Sequence, residues 1–387
     1  MIYYGKQSIS EADIKAVEEV LRSDFLTQGP AIEQFERTVA EYCGAKYAVA
    51  VCNATAALHI ACLSAGLSTG ELLWTSPITF VASANCGRYC GADVDFVDID
   101  EKTYNMSVTA LEEKLRRTRK ANKLPKVVIP VHLAGQSCDM ARIKELSEEY
   151  GFTVIEDASH AVGADYLDTK VGSCAFSDMT VFSFHPVKIV TTGEGGMVLT
   201  NNKDLYEKLL LYRSHGITRD PAKMTNISDG VWYYQQIALG FNYRMTDIQA
   251  ALGVSQMERL DEFVVRRRYL AARYDDLLRD LPLTTPIVLP DGQPSWHLYI
   301  VRIDFNCVRK TKQKIFAEMR KKGIVLSLHY IPVHTQPYYE ELGFCANDCP
   351  AAMEYYHEVL TLPLYPKLTD AEQDQVATAL RDVLTGA

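Results

Sequence analysis

The sequence has no long uninterrupted apolar run. Its most apolar stretch, residues 48–67, is broken by Asn53, Thr55 and His59. It reads as a strand turning into a helix, and no membrane span is expected. The opening Met-Ile-Tyr-Tyr-Gly-Lys-Gln lacks a basic segment followed by an apolar core, so no signal peptide is expected there either. Basic residues are the minority charge: the chain carries a net −9. No basic stretch interleaves with aromatics, which argues against nucleic acid as a partner. Ten cysteines are scattered, the closest pairs being Cys86/Cys90 and Cys345/Cys349, with no metal-ligand pattern beside them. Reduced thiols in a cytoplasmic protein, and no metal, are expected. Repeats and low-complexity tracts are absent. So is a Gly-rich turn after the first predicted strand, where Cys52-Asn-Ala-Thr55 stands; this argues against a dinucleotide-binding dehydrogenase.

What is present is an ordinary globular balance, 48% hydrophobic and 23% charged over 387 residues. The length favours two domains. Short apolar runs alternate with amphipathic helices. Strands are predicted at Tyr47–Val51, Glu71–Thr75, Val94–Val97, Lys126–Val131, Phe152–Ile155, Met179–Phe184 and Met197–Thr200. That alternation predicts an α/β fold, a mostly parallel sheet with helices on both faces. A Pro-rich connector near 281–290 leads to a smaller α+β unit. There, strands are predicted at His297–Ile303 and Ile324–Tyr330, and helices at 311–322, Cys349–Leu360 and 369–384, the last opened by a Thr369/Glu372 capping box. The expected division is 1–255 and 256–387, joined by a long helical region from about Thr246 to Leu278.

In a parallel sheet, function lies beyond the carboxyl ends of strands. Three such ends carry compatible chemistry. Asn53-Ala54-Thr55 opens a helix after a buried strand, a geometry that offers free N–H groups and a hydroxyl to a phosphate. Asp157 follows the strand at 152–155. Lys188 lies in a loop between a buried strand and the cluster Gly193, Gly195, Gly196. Desolvation would lower the lysine's pKa and make it a nucleophile. Taken singly, Thr55 reads equally well as a cap, Asp157 as a turn residue and Lys188 as a loop lysine. Pyridoxal phosphate needs all three at once: an amine, a phosphate anchor and a carboxylate on the pyridine nitrogen.

Glu156-Asp-Ala-Ser-His160, Ser183-Phe-His-Pro-Val-Lys188, Glu194-Gly-Gly196 and Gly240-Phe-Asn-Tyr-Arg-Met245 occur in this order. On these motifs the chain resembles, over essentially its whole length, the DegT/DnrJ/EryC1/StrS sugar aminotransferases. Tyr4-Gly-Lys-Gln7, residues 24–30, residues 74–85 and His329-Tyr-Ile-Pro-Val-His334 resemble the branch serving pseudaminic acid biosynthesis. The resemblance implies the type I fold of pyridoxal-phosphate enzymes. It implies that Lys188 binds the cofactor covalently and shuttles the proton, and that Asp157 pairs with the pyridine nitrogen. Phe80 would stack on the ring and His160 would touch its hydroxyl, at a position where the family often has Gln. Ala54, Thr55 and Ser183 would hold the phosphate, with Asn242 reaching the cofactor of a partner subunit in a homodimer. Lys6, His185, Arg244 and His329 are the implied substrate contacts. The implied reaction passes an amino group from L-glutamate to a UDP-linked 4-keto-deoxysugar, UDP-2-acetamido-2,6-dideoxy-β-L-arabino-hexos-4-ulose. Other UDP- or dTDP-linked 4-keto sugars are the alternative, and a non-catalytic cofactor-binding sensor is the alternative of another class.

Overall fold

The structure, a computed structural model, describes residues 1–121 and 123–386. Seven strands form the central sheet: β1 (Tyr47–Val51), β2 (Leu72–Thr75), β3 (Asp93–Phe96), β4 (Val127–Ile129), β5 (Thr153–Asp157), β6 (Met179–Ser183) and β7 (Gly196–Thr200). Their spatial order is β1-β7-β6-β5-β4-β2-β3. Pairing is parallel everywhere except around β7, which is antiparallel to both β1 and β6. This is the mostly parallel α/β sheet that the sequence predicts.

Strand alternation sorts the side chains onto two faces. Leu73, Val127, Val181 and Val198 join one core with the helix Ala54–Ser64. Their chain neighbours Trp74 and Val128 pack with Leu111 and Leu146 in a second core. Phe182 and Leu199 pack with Phe35 and Phe263 in a third. β6 and β7 are buried at every position, as strands covered on both faces must be.

Helix boundaries follow their caps. Gly44 ends the helix Pro30–Cys43 in the left-handed conformation at φ 77°. Thr246 and Gln249 form a capping box that opens Asp247–Met257. The expected single helical region from there to Leu278 is two helices, because the turn at 258–259 precedes Leu260–Leu277.

The smaller sheet runs β8 (Leu283–Thr284), β9 (Tyr299–Ile303) and β10 (Val359–Leu362), in that order. Its core gathers Leu270, Tyr299, Ile315, Leu360 and Val376, and it takes in Ile2 from the other end of the chain. Two expectations for this region need correcting. The helix predicted over Cys349–Leu360 stops at Glu358. Val359-Leu-Thr-Leu362 pairs with β9 instead and is wholly buried, so tertiary pairing overrides the helical reading. The strand predicted over Ile324–Tyr330 is an extended segment held by isolated bridges, Ile324 to Ile2 and Ser327 to Thr361.

Candidate functional site

β5 and β6 run side by side in register Asp157↔Val181. Asp157 and Ser183 therefore finish at one end of the sheet. The chain leaves β6 in a loop that closes on itself: Phe184 donates to Gly195 at 2.9 Å, and Thr192 donates to Phe184 at 3.0 Å. Lys188 sits at the middle of this loop. Across from it, β1 feeds the helix Ala54–Ser64, whose N-cap is Asn53, accepting from Ala56 N at 2.9 Å. The cap is therefore Asn53, which leaves the Thr55 hydroxyl and the first-turn N–H groups of Ala54 and Thr55 free of that task.

These elements enclose a cavity of about 510 Å³. Ala54, Thr55, Phe80, Asp157, His160, Ser183, His185, Lys188 and His329, singled out in the sequence, all line it. Lys6, Asn242 and Arg244 do not. Lys6 and Asn242 are exposed on this chain, and Arg244 lines a separate groove of about 670 Å³ with Glu36, Arg37 and Arg213. Tyr4, His297 and Tyr330 line the cavity without having been singled out. Tyr4 and Tyr330 lie inside motifs that carried the resemblance, which is the signal that could have found them. His297 had only its place at the start of a predicted strand.

Asp157 is held firmly. Its Oδ2 accepts from Ser83 Oγ at 2.6 Å and its Oδ1 from the Ser159 N–H at 3.1 Å. Ser83 in turn shares a 2.7 Å hydrogen bond with Thr79. Behind it, the buried Glu156 accepts from His132 Nε2 at 2.6 Å and from Thr180 at 3.1 Å. Burial would raise the Glu156 carboxyl, but the His132 and Ser177 contacts outweigh that and hold it below its usual range.

Lys188 Nζ has no hydrogen-bond or ion-pair partner among the described residues. Burial lowers it to about 8, against the opposing pull of Asp157. Burial and the Lys188 charge also push His160 and His297 well below the usual imidazole value, and His329 to about 3. Lys188 thus shares the cavity with three imidazoles, those of His160, His297 and His329, that burial keeps neutral. His297, 3% exposed, has no partner for Nδ1 among the described residues.

The arrangement fits a phosphate-bearing aldehyde cofactor. It has an amine able to be neutral near pH 8, an anchored carboxylate, a helix N-terminus for an anion and an orphaned polar atom. No group of residues able to hold a metal ion occurs among those described. The fold and the site thus define a pyridoxal-phosphate type of aminotransferase. The chain belongs to the DegT/DnrJ/EryC1/StrS aminotransferase family, whose model matches residues 7–381; members of this family use pyridoxal phosphate. It is similar to the spore coat polysaccharide biosynthesis protein SpsC of Bacillus subtilis, 40% identical over 99% of this chain and 97% of that protein. Among solved structures it resembles Helicobacter pylori PseC, an aminotransferase of pseudaminic acid biosynthesis, at TM-score 0.90 and 30% identity over all of both chains. It also resembles the putative sugar aminotransferase Spr1654 of Streptococcus pneumoniae in its PMP-form, at TM-score 0.89 and 29% identity over 99% of each chain.

Two outcomes are expected. A Cβ on Gly196 would come within 2.5 Å of Asn53 C and O and 2.6 Å of Ala54 N. Gly196→Ala therefore displaces the Asn53–Ala54 turn at the cavity wall, and fluorescence titration with pyridoxal phosphate shows at least about tenfold weaker binding. The second concerns pH. With the Lys188 amine titrating at about 8, the free amine grows roughly tenfold between pH 7 and 9 and then levels off. Cofactor capture by the apoprotein, followed by absorbance, rises and flattens in the same window. An unperturbed lysine would still be gaining rate at pH 10.

Proposed function

We propose that the chain transfers the amino group of L-glutamate to the 4-keto group of UDP-2-acetamido-2,6-dideoxy-β-L-arabino-hexos-4-ulose. The product is UDP-4-amino-4,6-dideoxy-N-acetyl-β-L-altrosamine. The observation that carries the reading is a partnerless, pKa-depressed lysine facing an anchored carboxylate and a helix N-terminus across one cavity. The likeness to PseC over the full chain supports the acceptor.

Pyridoxal phosphate, when bound, supplies an aldehyde for amines and a ring that accepts electrons. Lys188 Nζ would hold the cofactor and, as a free amine, would carry the proton to or from the carbon losing or gaining the amino group. Asp157, fixed by Ser83 and Ser159, keeps a negative charge beside the pyridine nitrogen. Ala54, Thr55 and Ser183 hold the phosphate. Phe80, 59% exposed at the cavity wall, covers the ring. His185 and His329 face the sugar.

The same reading includes a homodimer. Asn242 is exposed and outside its own chain's cavity. The adjoining segment carries Ile227, Val231, Trp232 and Leu239 at 67–96% exposure, an apolar surface suited to a second copy. Asn242, Arg244 and Lys6 would serve the site from there or after closure. Units 1–255 and 256–387 remain the proposed domains: one core lies within the second apart from Ile2, while two others cross the boundary, through Ile300, Val333 and Val359 and through Leu260 and Phe263. All ten cysteines are free, and no helix among the described residues is long and apolar enough to cross a membrane; both suit a cytoplasmic enzyme.

Steady-state assays with a panel of 4-keto nucleotide sugars test the acceptor. The UDP-linked L-arabino sugar should give the highest kcat/KM. A preference for a dTDP-linked or D-configured sugar would overturn the acceptor and leave the family untouched.

A further inference from the structure

The proton on His160 can be located from its two partners. The Ala134 N–H donates to Nδ1 at 3.3 Å, so Nδ1 carries no proton. An imidazole in that state keeps its proton on Nε2. Nε2 lies 3.0 Å from Tyr330 Oη, and so it must donate to the phenol oxygen. Both ring nitrogens are then occupied by protein partners, and neither is left for a ligand.

The consequence falls on Tyr330. Its oxygen accepts from His160, so its own O–H must point elsewhere. It has no other hydrogen-bond partner among the described residues. The phenol lines the same cavity as Lys188 and Asp157. Burial and the Asp157 charge raise its pKa, which keeps the proton on it as a donor. A hydroxyl that already accepts a hydrogen bond is polarised into a better donor.

We propose that Tyr330 donates the hydrogen bond to the ring oxygen of the cofactor, with His160 as the positioning residue that aims it. This rests on the reading of the cavity as a pyridoxal-phosphate site. It replaces the expected direct contact of His160 with that oxygen. His160 and Tyr330 line the same cavity as Asp157 and Lys188, the two groups that would hold the ring. A hydrogen bond to a phenolate is charge-assisted. Removing it makes the neighbouring lysine-linked nitrogen more basic.

The test is a pH titration of the visible cofactor band in the holoenzyme, without substrates. Tyr330→Phe should move the midpoint upward by about one pH unit. His160→Leu should move it in the same direction, and the double variant should match Tyr330→Phe alone, since both act through one hydrogen bond. A wild-type titration in Tyr330→Phe, or additive shifts in the double variant, would overturn the proposal. A fluorinated tyrosine introduced at position 330 keeps the packing while strengthening the donor, and it should shift the midpoint downward even if the phenylalanine variant folds poorly. An unmoved midpoint there overturns the proposal as well. A wild-type protein that shows no band after incubation with pyridoxal phosphate would instead sink the cofactor reading beneath it.

Discussion

Lys188→Ala should abolish turnover, with kcat down at least about 10⁴-fold, and should erase the visible band of lysine-attached cofactor. The size of the effect follows from position. Lys188 is the one singled-out residue whose amine faces the cavity with no protein partner, and its pKa near 8 makes it both nucleophile and proton carrier. Beside it on the wall stand His160, His185, His297 and His329, and no imidazole can form the attachment. Pyridoxal phosphate should still bind Lys188→Ala noncovalently, because the phosphate turn and Asp157 are untouched. Absorbance before and after L-glutamate checks both statements: the unaltered protein loses its band to the pyridoxamine form, and the variant has no such band to lose. A variant retaining more than about 1% of wild-type turnover would mean another base does the work.

Asp157→Asn should cost about 10³-fold in kcat/KM, some 4 kcal/mol. The substitution is nearly isosteric: the amide carbonyl can accept from the Ser159 N–H while its NH2 donates to Ser83 Oγ, so the fold should hold. What is lost is the charge. An amide has no negative charge to keep a proton on the pyridine nitrogen, and the ring becomes a poorer electron sink. The separation of the two effects is measurable. Cofactor affinity should weaken modestly while the rate of the L-glutamate half-reaction collapses in single-turnover spectra. Equal losses in affinity and rate would assign Asp157 to binding alone.

How legible was this in the chain? The sheet was legible because its strands are short apolar runs set off by Gly, Pro and polar turns. The ends that matter carried residues whose chemistry fits one cofactor: Thr55, Asp157 and Lys188. The motifs around them made the family recognisable. Tertiary pairing was not legible. Val359–Leu362 continues a helical pattern locally, and only β9 makes it a strand. Side-chain direction was not legible either. Nothing in the sequence placed the ring nitrogens of His160 against Ala134 and Tyr330. Ser83 lies 74 positions from the Asp157 it supports, a distance no local pattern spans. The exposure of Asn242 and the separate groove of Arg244 had no signal in the sequence either.

The reversed strand β7 has a consequence for how the protein acquires its activity. β1 reaches the rest of the sheet only through β7, a partner about 150 residues later in the chain. A nascent chain therefore makes the helix Ala54–Ser64 at the cavity long before it can seat it. Glu36 and Arg213, joined across a similar span, share that delay. Such nonlocal closure is slow in folding. In refolding experiments, helical signal should return first and the capacity to capture cofactor last, so that cofactor capture reports completion of the sheet.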